Sequence, residues 1–489
     1  YMNAPSQKVS VLEKIGYSLG DFSANLIFQT LMTFLAFFYT DVFKIPPGAA
    51  SAIIFTGGMF GAFFNPVMGI IADRTSTRWG KFRPWILWTA VPFGVIALLA
   101  FSTPKFGVSG KVAYAMITYL LLVVVYSMNN LPYASLSGVL TGDMKERNSI
   151  SSYRFVAVNI AQFIVQSLLL PLVLILGDGD KTVGFEKTML LFSITGIVFF
   201  IITFLTTRER IVPTQEQQSS VKTDLKDLFR NKPWIAMLVI TIFIFITLSL
   251  KGGMYVYYFE NYLSEEALAR FLENVGFNRF IAGLNSMLTG MGLVGFTWPE
   301  DAPTSAFSLF NAGGIIMGLI GIALSKPLAD RFGKRDVFGY SLFVAALMQL
   351  MFYFWGHQAI GLVFATQLAH GFFYGIGTPI LWAMIADVAD YSEWKNKRRA
   401  TAIIFSAMIF GLKAGLSIGG ALVAGILAIY GYQEGLAVQN EATINGIRTA
   451  MSIYPFITFC VAVVICLFFY EINKHMETRI QKELEDRRK

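Results

Sequence analysis

Apolar runs of about 20 residues or more recur along the whole chain, and they constrain its fold more than any other feature. A helix of that length crosses a hydrocarbon core of about 30 Å with every backbone hydrogen bond made internally. A soluble protein of 489 residues would need a polar skin, commonly about 25% charged residues; here 14% are charged and 55% hydrophobic. The missing charge is what a lipid-facing surface requires. A transmembrane β-barrel would instead show short segments of alternating polarity. The chain reads as an all-α polytopic membrane protein.

Twelve spans are expected, at about 15–42, 48–72, 84–103, 112–140, 150–176, 188–207, 233–263, 305–327, 337–356, 359–386, 400–431 and 448–472. The first is too long for the apolar region of a signal peptide and lacks a small-residue cleavage site, so it should remain as a helix. An even number puts both termini on one side. Most of the 39 lysines and arginines fall on the loops of that side, which by the positive-inside rule is the cytoplasm. The net charge of +8 therefore follows from topology and calls for no nucleic acid.

The polar stretch 208–232 divides the spans into an N-terminal bundle (1–207) and a C-terminal bundle (233–472), with a cytoplasmic tail at 473–489. "GIIADRTSTRWGKFRP" follows span 2 and "KPLADRFGKRD" follows span 8, the equivalent place in the second half. Two pseudo-symmetric six-helix halves are the major facilitator architecture. The insert 264–304 is expected outside the membrane. "SEEALARFLENV" has a capping serine and glutamates in its first turn, which predicts a short interfacial or lid-like helix. The apolar "FIAGLNSMLTGMGLVGF" is not a span, because an odd count would put the basic "DRFGKRD" outside.

Ionisable residues inside spans are functional candidates, since a lysine at a helix centre costs about 2.5–3.5 kcal/mol on insertion scales. They are Asp21, Arg154, Lys251, Glu260, His370 and Lys413. Lys251 ("LKGG") and Lys413 ("LKAG") lie deep among small residues that let helices or a ligand approach. Glu260 and Arg154 lie near span ends, where snorkelling or a structural ion pair is an equal reading. His370 could as well donate a helix-packing hydrogen bond. Asp387 and Asp390, beside "EWKNKRR", read as part of a cytoplasmic gate network. Asp73, Arg74, Lys81, Arg83, Asp330, Arg331 and Arg399 complete that network.

Neutral polar residues cluster at similar depth: Asn25, Gln29, Asn65, Tyr126, Asn129 and Asn130. Together with Trp382 they offer hydrogen bonds and flat apolar faces to a hydroxyl-rich solute in a chamber between the halves. No Ser/His/Asp set, HExxH or phosphate-binding loop occurs, so neither an enzyme nor an ATP-driven pump is expected, and no cofactor or metal. Cys460 and Cys466 lie six apart on one helix and give neither a disulfide nor a metal pattern.

With "YSLGDF", "FYTDVF", "NPVMGIIADRTSTRWGKFRPWIL", "DVADYSEWKNKRRATAIIFS" and the lysine of "FGLKAG" in view, the chain resembles the glycoside–pentoside–hexuronide:cation symporter family. That major facilitator branch includes the melibiose permease, and the likeness runs through essentially all twelve spans. It implies that Lys413 lies by a cation site, Arg154 in a sugar pocket and Tyr126 on the same face of the fourth helix. It also exposes departures. Gly61 and Asn65 stand where the melibiose permease has two cation-binding carboxylates. Asn130 and Asn25 stand where it has sugar-binding aspartates, and Ala134 replaces a tryptophan. Sodium prefers several hard oxygen ligands, so proton coupling through Asp21, Glu260 or His370 is the better expectation, with Lys413 nearby. A cavity that has lost acids but kept Lys251, Arg154 and Lys413 favours an acidic sugar. The expected protein is a monomeric, proton-coupled importer of a glycoside or uronide in a bacterial inner membrane. Sodium-coupled or uncoupled movement of neutral sugars, or of a lysolipid, are the alternatives.

Overall fold

The computed structural model describes residues 8–141, 143–210, 221–397 and 401–488. Among them lie twelve helices long and apolar enough to cross a membrane. Spans 1 to 6 are Val11–Val42, Pro47–Ala72, Arg83–Ala100, Val108–Leu140, Lys145–Leu176 and Lys181–Thr206. Spans 7 to 12 are Lys232–Tyr262, Ala302–Phe332, Lys334–Phe354, Ile360–Asn396, Ile403–Ile429 and Glu441–Phe469. Shorter helices occupy Val221–Arg230 before span 7, Glu265–Asn274 and Phe277–Gly290 in the insert, and Lys474–Arg488 in the tail. No strand occurs among the described residues.

Local sequence starts these helices where the backbone needs help. The Ser10, Asn231 and Asn440 side chains accept from backbone N–H groups three residues on, filling donors that the first turns of spans 1, 7 and 12 leave open. Pro47, Pro84 and Pro233 stand in the first turn of spans 2, 3 and 7, where a missing N–H costs nothing. Prolines also lie inside several spans, among them Pro132 in span 4. Span 10 runs to Asn396, ten residues past its apolar stretch, because the polar "DVADYSEWKN" is still helical and docks the tail. Hydropathy marks where the lipid ends, not where the helix does.

The chain divides into two compact units: residues 1–215 with 278–308, and 216–277 with 309–489. The insert is thereby shared out, its first helix to the second unit and its second helix to the first. In the first unit, span 1 packs on spans 5 and 6, span 4 packs on spans 2 and 3, and span 3 packs on span 6. In the second, spans 7, 11 and 12 form the corresponding group. Small residues close the contact between spans 7 and 11: a Cβ on Gly415 would lie 2.6 Å from the Ile242 carbonyl oxygen. Such packing replaces the hydrophobic effect, which gives no drive between helices in lipid.

Candidate functional site

Each unit holds its own buried polar cluster. In the first unit Asp21, on span 1, is buried and pairs with Arg154 of span 5, Nε to Oδ2 at 3.0 Å. Asn25, one turn along, donates Nδ2 to Asp21 Oδ1 at 3.1 Å. The Arg154 guanidinium also lies 5.7 Å and 5.3 Å from the ring centroids of Tyr17 and Tyr133. Those two rings stack at 4.5 Å. Tyr17 donates its hydroxyl to the Tyr133 carbonyl at 2.8 Å, and Tyr133 returns the bond to the Tyr17 carbonyl. The reciprocal pair joins spans 1 and 4 and sets a flat aromatic wall beside the guanidinium.

Further along span 1, Gln29 Oε1 accepts from Gln166 Nε2 at 3.4 Å, and Phe28 stacks on Tyr126 at 6.1 Å. Asn130 lies half-buried one turn beyond Tyr126. Two other asparagines serve packing: Asn65 Oδ1 accepts from Ser127 at 2.7 Å, and Asn129 donates to Thr89 at 3.0 Å. Gly61 abuts Val123 so closely that even a Cβ there would overlap it. A carboxylate side chain at position 61 would need Val123 to move.

In the second unit Lys251 of span 7 is buried, 9% exposed, with its ammonium 5.6 Å from the Tyr255 ring and 5.3 Å from the Tyr374 ring. No carboxylate is salt-bridged to it among the described residues. Two cation–π contacts, each worth up to about 2 kcal/mol, offset part of the burial cost. Tyr374 stacks on His370, ring centroids 6.1 Å apart. His370 Nδ1 lies 2.9 Å from the Ala345 carbonyl, which can only accept, so the neutral ring carries its proton on Nδ1. Nε2 is then a bare acceptor, buried, with no protein partner among the described residues. Tyr255 donates to Gln349 Oε1 at 3.2 Å, and Gln349 Nε2 donates to the Met451 carbonyl at 2.5 Å.

The remaining candidates stand at other positions along the spans. Lys413 is half-buried on span 11, two residues from Gly415 and so on the face away from the Gly415 contact with span 7. Glu260 is exposed at the end of span 7, and Trp382 is 41% exposed on span 10. Of the residues expected at the gate, Asp387 accepts from Lys334 at 2.9 Å, and Lys334 also meets Glu477 at 3.1 Å. Arg83 donates to the Phe204 carbonyl at 2.6 Å. Asp330 pairs with Lys326 on the surface, and the Arg331 carbonyl accepts from Lys474 at 2.6 Å. Lys81 contributes its backbone N–H to Glu209, and Arg74 is exposed. Asp390 sits on the same helix as Asp387. The Asp73 side chain and Arg399 lie outside the described residues. No group of three His, Cys, Asp or Glu able to hold a metal occurs among the described residues.

Sequence reasoning missed Tyr17, Tyr133, Tyr255 and Tyr374. Tyr17 stands in the quoted "YSLGDF", Tyr133 directly follows Pro132 of span 4, and a tyrosine four residues after Lys251 was the available hint in span 7.

The model of a family described as MFS/sugar transport protein matches residues 16–288 and 302–474. The inner membrane symporter YicJ of Escherichia coli K12 is 34% identical, over 98% of this chain and 96% of its own length. The isoprimeverose transporter of Lactiplantibacillus pentosus is 31% identical, over 97% and 91%. Among solved structures, a proton-dependent oligopeptide transporter superposes with a TM-score of 0.62 at 10% identity, over 97% of this chain and 100% of that one, a likeness of fold alone. The chain thus belongs to the MFS/sugar transport family, as a multi-pass membrane transporter and not an enzyme.

Proposed function

We propose that the protein is a secondary symporter of the bacterial inner membrane that imports a glycoside carrying an acid group, driven by protons. The observation that carries the acidic preference is the contrast between the two clusters. Asp21 already neutralises Arg154, whereas Lys251 sits buried between two tyrosine rings with no carboxylate bonded to it among the described residues. A sugar carboxylate would supply the missing charge, and tyrosine and glutamine side chains suit its hydroxyls. Asn25, Gln29, Tyr126, Asn130 and Arg154 form the sugar-facing set of the first unit, and Lys251, Trp382 and Lys413 that of the second. Both termini are cytoplasmic, the monomer is the working form, and access alternates between the two sides.

Proton rather than sodium coupling is supported by the packed-over Gly61 position, with Asp21 and His370 as the candidate proton carriers. Glu260, exposed at a span end, is the peripheral member of the coupling set, and Lys413 tunes it. The test is counterflow in proteoliposomes with neutral and acidic sugars, at several pH values, with and without sodium. Uronides should exchange faster than neutral glycosides, uptake should follow the pH gradient, and sodium should be dispensable. Exchange of neutral sugars alone overturns the acidic assignment, and a strict sodium requirement overturns the proton. Lys251→Met should cut uronide exchange about tenfold or more while a neutral analogue loses less, since a charge-assisted hydrogen bond is worth roughly 1.5–3 kcal/mol.

A further inference from the structure

The two insert helices differ in a way their neighbouring spans do not explain. The first, Glu265–Asn274, buries Ala267, Leu268 and Leu272, and Phe271 packs on Phe364 of span 10 at 4.5 Å. The second, Phe277–Gly290, buries none of its residues. Its apolar residues nevertheless form one continuous arc. Phe277, Ile281, Leu284 and Leu288 are half-buried along one side of that arc. Phe280 and Met287, one helical repeat of seven apart, stand open along the other, at 68% and 57% exposure. Asn278, Arg279, Ser286 and Thr289 occupy the opposite, polar face.

The chain beyond the helix extends the open stripe. Asn285 Oδ1 accepts from the Trp298 N–H at 2.8 Å, and Trp298 Nε1 donates to Ser305 at 2.8 Å, so the segment between returns along the helix. That segment exposes Met291 and Val294. The turn Val294–Phe296 rests on the Leu169–Leu176 end of span 5. The family's match passes over 289–301, so this apolar return segment is not part of the shared pattern.

We propose that the second insert helix and its return segment form a membrane-surface element. Phe280, Met287, Met291 and Val294 seat among the acyl chains on the side opposite the termini, and Arg279 with Ser286 stays at the headgroups. Amphipathic helices with an apolar arc and a polar back lie in this way at the boundary. Spans 7 and 8 hold both ends of the insert at the membrane surface, which removes most of the entropic cost of bringing it there.

The experiment uses the full chain in vesicles of phosphatidylethanolamine and phosphatidylglycerol. Nitroxides are placed singly by Phe280→Cys, Met287→Cys, Arg279→Cys and Ser286→Cys, with Cys460→Ala and Cys466→Ala. The ratio of oxygen to nickel-chelate collisions should be severalfold higher at 280 and 287 than at 279 and 286. Equal, water-like ratios at all four positions overturn the proposal, as does shielding of 280 and 287 from both reagents. A second measurement leaves the cysteines untouched: photoreactive benzoylphenylalanine at Phe280 or Met287 should yield phospholipid adducts. Adducts to another protein, or to this chain alone, overturn it.

Discussion

The two units hold the same turn by different chemistry. In the first, the turn between spans 2 and 3 is clamped by Glu209, whose carboxylate accepts from the backbone N–H groups of Lys81 and Phe82 at 2.7 Å and 3.0 Å. In the second, the turn between spans 8 and 9 is clamped through a side chain, Lys334, held by Asp387 at 2.9 Å and Glu477 at 3.1 Å. The repeated Gly-Lys pair places a glycine with positive φ at each turn, +118° at Gly80 and +91° at Gly333. In both cases a carboxylate comes from the chain just after the last span of the unit. The two turns thus share the source of the clamp and differ in what it grips. An amide grip depends on one residue and is insensitive to the side chain at Lys81. A lysine grip is shared between two acids and is screened by salt.

The largest effect should come from the glycines. At Gly80 a Cβ would run into the Glu209 carboxylate and also face a backbone region closed to side chains, a strain of about 1–3 kcal/mol. At Gly333 the nearest neighbour is the flexible Lys474 side chain, at 2.9 Å. Gly80→Ala should therefore lower the thermal unfolding midpoint of the solubilised protein by more than Gly333→Ala. Equal shifts would mean that backbone strain, not the clamp, decides both.

Next come the acids. Glu209→Ala strands two amides and should cost about 2 kcal/mol. Glu477→Ala leaves Lys334 its Asp387 partner and should cost less, about 1 kcal/mol, as one of two acids sharing a partly buried lysine. Chemical denaturation of the two variants separates these values. Raising the salt should narrow the difference between wild type and Glu477→Ala while leaving the Glu209→Ala difference nearly unchanged. A salt-dependent Glu209→Ala effect would show that its grip is ionic after all.

How far the chain could be read from its residues follows the same division. The span count is local, set by runs of apolar residues, and the helix starts at Ser264 and Asn440 are local too. The turn pair was visible as "ADR…GK" in both halves, although its partners were not. Glu209 reaches Lys81 across 128 positions, and Tyr17 reaches Tyr133 across 116. Such choices depend on how helices pack, which periodicity does not encode. The same limit applies to Lys251 and Arg154. Both read as buried cations, and only the packed structure separates the one joined to Asp21 from the one set between tyrosines.

The smallest effect belongs to the far end of the tail helix, where a fourth carboxylate repeats the contrast at the surface. Glu483 accepts from the Trp394 indole at 2.5 Å and from Arg479 at 2.9 Å, and Arg487 donates to the Trp394 carbonyl at 3.0 Å. The indole N–H, followed by the Arg479 donor, holds the Glu483 carboxyl below the usual glutamate range. A carboxylate lowered in the folded state gives stability that is fully present above its unfolded value, about 4.3, and lost as pH falls through the folded one. Docking of the tail should therefore be constant through neutral pH and loosen only below about pH 4. A fluorophore on the tail helix, read against pH, should show that acid transition, and Glu483→Gln should remove it, because a neutral amide can still accept from the indole without titrating. A transition near pH 6 that survives Glu483→Gln would move the acid-sensitive joint from the tail's far end to the Lys334, Asp387 and Glu477 cluster at its near end.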